Sequence, residues 1–270
     1  MEARVKVASC QAIKGSLIEE TYAVLRDWDY QCSKTENLQR ARADNRIGAR
    51  SAAWARNVSW AISRRFDPAG RDRPLVELAK SGCDREVWKP LLLYHLTRDE
   101  FLVRDFLLNW LYPRFIAGAD RLRAEDLLPY LSALSKNPGF KRPCGPNPEH
   151  RPPHPGLWSE ATTQRVASGL LRLAVDFGLL VGTQSREFAS YQLPEPSFLY
   201  LLHAMRDREA NARRLIDAED WRLYLMDAAE VERELLRLHQ FRKLHYEVAG
   251  SLAQIKLPAA SVADYVKEMR

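Results

Sequence analysis

Residues 158–193 read WSEATTQRVASGLLRLAVDFGLLVGTQSREFASYQL. Ser159 is a helix N-cap residue, whose hydroxyl accepts from an amide of the first turn. Behind it Val166, Leu170, Leu173 and Ala174 recur at helical spacing, which predicts a helix over 160–177. Gly178 supplies the left-handed residue that ends such a helix. Residues 179–181 then form a short strand, 182–187 a turn, and the alternation over 188–193 a second strand. Helix followed by β-hairpin is the closing half of a winged helix. In that arrangement the helix start, with Ser159, Thr162, Thr163, Gln164 and Arg165, meets phosphates and base edges. Arg186, at the hairpin tip, meets the nucleic-acid backbone.

Working outward, a second unit precedes it. Ser33-Lys34-Thr35-Glu36 is a capping box opening a helix over 34–43. Asn45-Arg46-Ile47-Gly48 is a turn. A further helix runs from 49 to 66, closed by Asp67-Pro68. Trp54, Val58, Ala61, Ile62 and Phe66 make its core stripe. Arg56, Trp60 and Arg64 share another face, beside Ala53 and Asn57. This is the outline of a helix-turn-helix, whose second helix lies in the major groove.

Charge singles out the same place. The chain carries 41 Lys plus Arg against 35 Asp plus Glu, a net +6. Residues 34–66 hold eight basic and two acidic side chains, so 8 − 2 = +6 and the rest of the chain is balanced. A polyanion, an acidic protein or an anionic membrane can use such a patch. Arg40, Arg42, Arg46, Arg50, Arg56 and Arg64 are its candidate contacts.

The remainder reads as scaffold. A helix is expected over 16–28, four helical segments over 74–135 broken at Pro113 among other points, and a helical, mildly acidic region over 206–238. Residues 245–257 predict a second hairpin and 261–269 a terminal helix. The expected fold is mainly α: a helical bundle with a helix-turn-helix N-terminal part and a winged-helix-like C-terminal part with short hairpins. Residues 1–136 and 158–270 are read as domains joined by the proline-rich stretch 137–157. His150 and His154 there lack the cysteine pair of a zinc finger.

Several classes are excluded. With 46% hydrophobic residues the chain is neither disordered nor a membrane protein, since no run approaches ~20 apolar residues. Four scattered cysteines make no disulfide scaffold and no CxxC pair. No apolar leader opens the sequence, which predicts a cytoplasmic protein. P-loop, GxGxxG, HExxH and GxSxG motifs are all missing. The expectation is a protein without enzymatic activity, cofactor or metal.

The chain also resembles a known family, BrxA of bacteriophage exclusion (BREX) defence systems. Arg50-Ser51-Ala52-Ala53-Trp54-Ala55-Arg56, Arg64-Arg65-Phe66 and Asp105-Phe106-Leu107 carry the resemblance. So does the block from Trp158-Ser159-Glu160-Ala161-Thr162 to Gly178-Leu179-Leu180. It covers roughly residues 13–205; the proline-rich insertion and the region past Met205 lie outside its pattern. The family is similar in outline to the RNA-binding factor NusB, and its members bind double-stranded DNA. The resemblance therefore implies a DNA-binding defence component that works with other defence proteins; an inner-membrane label also given to the family finds no spanning segment in this sequence. RNA binding, or docking on an acidic protein, is the alternative.

Overall fold

Short polar side chains set the helix limits in the N-terminal part. The computed structural model describes residues 14–135, 158–250 and 252–270. Helix α1 spans Ile18–Arg26. Helix α2 (Lys34–Ala43) opens on the expected capping box: the Glu36 amide donates to Ser33 Oγ at 3.2 Å, and the Ser33 amide to Glu36 Oε2 at 2.7 Å. Asn45 and Gly48, both at positive φ, make the turn. Ser51 caps helix α3 (Ala52–Arg65), accepting from the Trp54 amide at 3.2 Å. Val58, Ala61, Ile62 and Phe66 are buried, Trp54 and Trp60 are half-buried, and Arg56 and Arg64 are exposed. The two faces of α3 follow its apolar periodicity.

Helices α4 (Arg73–Lys80) and α5 (Arg85–Thr97) come next, with α1 packed on α4. The break expected at Pro113 does not occur. Helix α6 (Phe101–Asp105) widens into a π-turn over Phe106–Leu111 and continues as α7 (Tyr112–Ile116). The Tyr112 amide closes the π-turn on the Leu107 carbonyl, and Pro113 follows in the first turn of α7. Leu122 then forms an isolated antiparallel bridge, and a 3-10 turn (Ala124–Leu127) leads into α8 (Leu128–Ser135). The stretch 137–157, with Cys144, His150 and His154, lies outside the described residues, as does Cys10. Cys32 and Cys83 are free thiols.

Helix α9 (Glu160–Asp176) starts at its Ser159 cap and is followed by Gly178 at φ 80°. Strands β1 (Leu180–Gly182) and β2 (Arg186–Phe188) pair antiparallel, Leu180 opposite Phe188. The second strand was expected over 188–193 and Arg186 in the turn; both placements are corrected. Gly182, at φ 100°, lets the chain reverse within three residues, so pairing already begins at Arg186. It ends after Phe188, where the Ala189 amide returns to the Leu179 carbonyl at 3.1 Å. On its other edge Arg186 exchanges both backbone bonds with Leu122, at 2.8 and 3.0 Å. Phe115 of α7 packs on Phe188, ring centroids 5.3 Å apart.

Helix α10 spans Glu195–Arg206. The helical region expected over 206–238 consists of α11 (Ala212–Ile216), a 3-10 turn (Glu219–Tyr224) and α12 (Ala228–Gln240). Asn211 and Asp227 each cap a new start, and Leu225 turns the chain at φ 59°. Such side chains offer the backbone bonds that compete with helix continuation. Strands β3 (His245–Ala249) and β4 (Leu252–Lys256) form the second hairpin, and Ser261 caps α13 (Val262–Glu268). The fold is mainly helical with two small antiparallel hairpins, as the patterning predicts. No helix among the described residues is long and apolar enough to cross a membrane.

One hydrophobic core includes side chains from both sides of the proline-rich stretch. Two buried polar clusters sit within it. Asp72 Oδ1 meets His95 Nδ1 at 2.6 Å, and His95 Nε2 meets the Tyr200 hydroxyl at 2.8 Å. This joins α4, α5 and α10. Burial works against the Asp72 carboxylate, but bonds from His95 and Arg71 hold its pKa below the usual range. Burial in turn lowers the His95 pKa, opposed by Asp72. All three side chains are shut off from solvent, so the trio is a structural brace rather than an accessible catalytic group.

The second cluster fixes the chain near its start. Arg65 Nε donates to Glu100 Oε1 at 3.1 Å, and its Nη atoms to the Ser16 and Gly15 carbonyls at 3.3 and 3.0 Å. Ser16 Oγ donates to Asp176 Oδ2 at 2.7 Å. The C-terminal ends of α3 and α9 are therefore both tied to Ser16, and α3 to Gly15 as well.

Candidate nucleic-acid interface

The basic stretch 34–66 divides in three when its side chains are followed individually. Lys34 and Arg65 belong to the scaffold. The Lys34 ammonium donates to the Ser63 and Phe66 carbonyls, closing the C-terminus of α3, and burial lowers its pKa. Arg65 is fully buried against Glu100. Arg40 and Arg46 are ion-paired: Arg40 with Asp29 at 3.5 Å, Arg46 with Asp27 at 3.0 Å and Asp44 at 3.6 Å. These two predicted contacts hold the α1–α2 corner together.

The rest of the stretch faces outward. Arg50 and Arg56 are exposed and Arg42 half-exposed, and none of the three forms an ion pair among the described residues. Arg50 precedes the Ser51 cap and Arg56 lies one turn into α3, with Ala52 and Ala53 exposed between them. Arg64 lies over the Trp60 ring, 5.2 Å from its centroid. Four of the six predicted arginines, Arg42, Arg50, Arg56 and Arg64, thus remain accessible at the α2–α3 surface. The small side chains let a ligand approach the α3 backbone at the end where the helix dipole favours anions.

The second predicted region is built on α9. Ser159 Oγ accepts from the Thr162 amide at 3.3 Å and meets Thr162 Oγ1 at 2.9 Å; Thr163 Oγ1 donates to the Ser159 carbonyl at 3.1 Å. These hydroxyls satisfy the first turn itself. Gln164 donates to Glu125 at 3.4 Å, and Arg165 Nε to the Ala161 carbonyl at 3.2 Å. Arg165 is exposed and forms no ion pair among the described residues, and the same holds for Arg172, two turns on. Arg172 was missed by sequence reading, although Ala161, Arg165, Ser168 and Arg172 fall on one face by spacing alone. Arg123 was also missed; it is exposed beside the bridging Leu122. No local signal places Leu122 beside Arg186, because the bridge joins residues 64 positions apart.

The two regions are linked through Ser16, which holds the far ends of both helices. At 1.5 Å per residue, the starts of α3 (14 residues) and α9 (17 residues) lie about 20 and about 25 Å from those ends.

Comparison with known proteins bears on this geometry. The family model BrxA matches residues 10–137. This stretch is similar to the BrxA family. It contains α1 to α8 and all of the basic patch, so the BrxA segment includes the accessible arginines of α2 and α3. The family marks a component of BREX phage-defence systems. The match stops short of Trp158, so the block from Trp158 to Leu180 that also carried the resemblance lies beyond the matched BrxA residues. Neither a search of curated proteins nor one of solved structures finds a match.

Proposed function

We propose that the chain is a non-enzymatic, double-stranded DNA-binding component of a BREX defence complex, acting in the cytoplasm with other defence proteins. The observation that carries this reading is the outward, unpaired placement of Arg42, Arg50 and Arg56 around a helix start bare of large side chains. A helix-turn-helix presents its second helix in this manner. The second module supports it. Helix 101–116, the Leu122 bridge, helix 124–135, helix 160–176 and the β1–β2 hairpin follow one another in winged-helix order, with Arg165 and Arg172 outward. RNA recognition by stacking calls for open aromatic faces. Trp60, the aromatic on the basic face, is half-buried and capped by Arg64, which favours duplex phosphate contact.

The test is duplex binding against salt. Each neutralised phosphate steepens the log–log slope by about 0.9, so five arginines (Arg42, Arg50, Arg56, Arg165, Arg172) give a slope near −4.5. Binding to a random ~30-base-pair DNA duplex and to its RNA counterpart is titrated from about 50 to about 300 mM salt. Arg50→Glu/Arg56→Glu lowers the slope by about 2 and the affinity at least tenfold. Preference for RNA, or no binding to either duplex at the lowest salt, refutes the reading. In the second case the patch is a protein-docking surface.

A further inference from the structure

A cleft of about 530 Å³ opens between the first half of α9, the β1–β2 tip and the chain at 123–125. Arg123, Glu125, Gln164, Ser168, Ser185 and Arg186 are among its lining. Its volume lies in the range of small-ligand sites, roughly 300–1,000 Å³, well above what one inorganic anion needs. Glu125 is engaged by Gln164. Arg186 differs from the paired arginines of the α1–α2 corner. Its backbone is pinned on both edges, to Gly182 in the hairpin and to Leu122 across the bridge. Its guanidinium forms no ion pair among the described residues, and its Nε, like the neighbouring Ser185 Oγ, is shielded from solvent with no hydrogen-bond partner there. Burial disfavours its charged form, with no carboxylate in opposition. A half-buried guanidinium with a shielded, unpartnered Nε and no ion pair among the described residues, set beside the unpartnered Ser185 hydroxyl, matches the oxygens of a phosphate.

We propose that this cleft binds a phosphate-bearing ligand of about one nucleotide in size, its phosphate held by Arg186 and Arg123 with Ser185 as a further donor. Gly182 shapes the site: a Cβ there would stand 2.4 Å from the Ser185 carbonyl, so the glycine lets the tip fold tightly enough to bring Ser185 and Arg186 to the cleft. The phosphate comes either from a free nucleotide or from the backbone of a bound duplex. Only the second source rests on the DNA reading above.

Calorimetric titration of the full chain with deoxyadenosine monophosphate and with deoxyadenosine tests the site, next to duplex binding at low salt. Arg186→Gln, Ser185→Ala and Arg123→Gln are compared with the parent, each checked for an unchanged thermal melt; Arg123 is exposed, so its variant keeps the fold. Binding of the monophosphate but not the nucleoside, weakened about tenfold or more by Arg186→Gln and Arg123→Gln, is the expected result. A matching loss of duplex affinity names the duplex as the phosphate source, and an unchanged duplex affinity names the free nucleotide. Loss confined to the duplex also supports the site, as a backbone contact. Equal binding of nucleoside and nucleotide overturns the proposal. So does a failure of both ligands to respond to the substitutions, whether or not the chain binds DNA.

Discussion

Replacing Arg65 by Met tests the reasoning that part of the basic stretch is scaffold. The Arg65 side chain is fully buried and that of Glu100 is 4% exposed. Removing the guanidinium takes away the hydrogen-bonded counter-charge of a buried carboxylate and its bonds to the Gly15 and Ser16 carbonyls. Breaking a buried pair from one side costs about 3–5 kcal/mol. With about 2 cal/mol/K of unfolding entropy per residue over 270 residues, Tm falls by roughly 5–9 °C. The loss depends on pH. Burial pushes the Glu100 pKa up to about 7 from 4.5, against the pull of Arg65. A raised carboxyl pKa makes the folded state the tighter proton binder. Its contribution to stability is full below about 4.5 and lost as pH rises through about 7, about 3 kcal/mol in all. In the variant Glu100 takes up its proton at still higher pH, so near pH 5 the carboxyl is neutral. The deficit then shrinks to the two carbonyls and lost packing, about 1–3 kcal/mol. Urea unfolding of both proteins near pH 5 and pH 8 measures this, with Arg65→Met/Glu100→Gln restoring part of the loss at the higher pH. A deficit below about 1 kcal/mol near pH 8, or an equal one at both pH values, refutes the argument.

Three further outcomes are expected. Tyr200→Phe leaves His95 Nε2 buried without its 2.8 Å partner and lowers stability by about 1–3 kcal/mol in urea unfolding. Ser51→Ala removes the α3 cap and costs about 1 kcal/mol by the same assay; because the exposed arginines stay in place, duplex affinity changes less than in Arg50→Glu/Arg56→Glu. Gly182→Ala, at φ 100° and with its Cβ against the Ser185 carbonyl, strains the hairpin by about 1–3 kcal/mol. Hydrogen exchange shows that loss as faster exchange of the Leu122 and Arg186 amides.

Local signals in the sequence carried far into the fold, and non-local ones did not. The Ser33–Glu36 box, the Ser159 cap and the Gly178 terminator each depend on neighbours within four residues, and each is found in place; the helix expected from 49 instead starts at Ala52, because Ser51 caps it. The helix breaks inside 206–238 were also local, since Asn211 and Asp227 are capping residues, but the Glu/Arg pattern around them reads only as helical. The hairpin was misplaced because alternation over 188–193 outweighed a tight turn that only Gly182 permits. The passage of the helix through Pro113 follows a π-turn, which leaves no pattern in composition. At the candidate interface, periodicity showed which side chains leave the core, as for Arg56, Arg64 and Arg165. It could not show that Arg40 and Arg46 return to Asp29 and Asp27, because those carboxylates belong to the loop after another helix.

On the proposed DNA reading, the joint anchoring of α3 and α9 at Gly15-Ser16 turns the two candidate regions into a ruler. Helix lengths of about 20 and 25 Å, with the reach of the anchoring side chains, keep their starts within roughly 60 Å of each other. A duplex repeats every ~34 Å, so both regions together cover less than two helical turns. Once one helix has docked, the other is confined to that span, and its own encounter no longer depends on protein concentration. On the proposed duplex reading, weak individual contacts to phosphates then combine into one firm grip, whose footprint is set by the length of two helices and not by the bases beneath them.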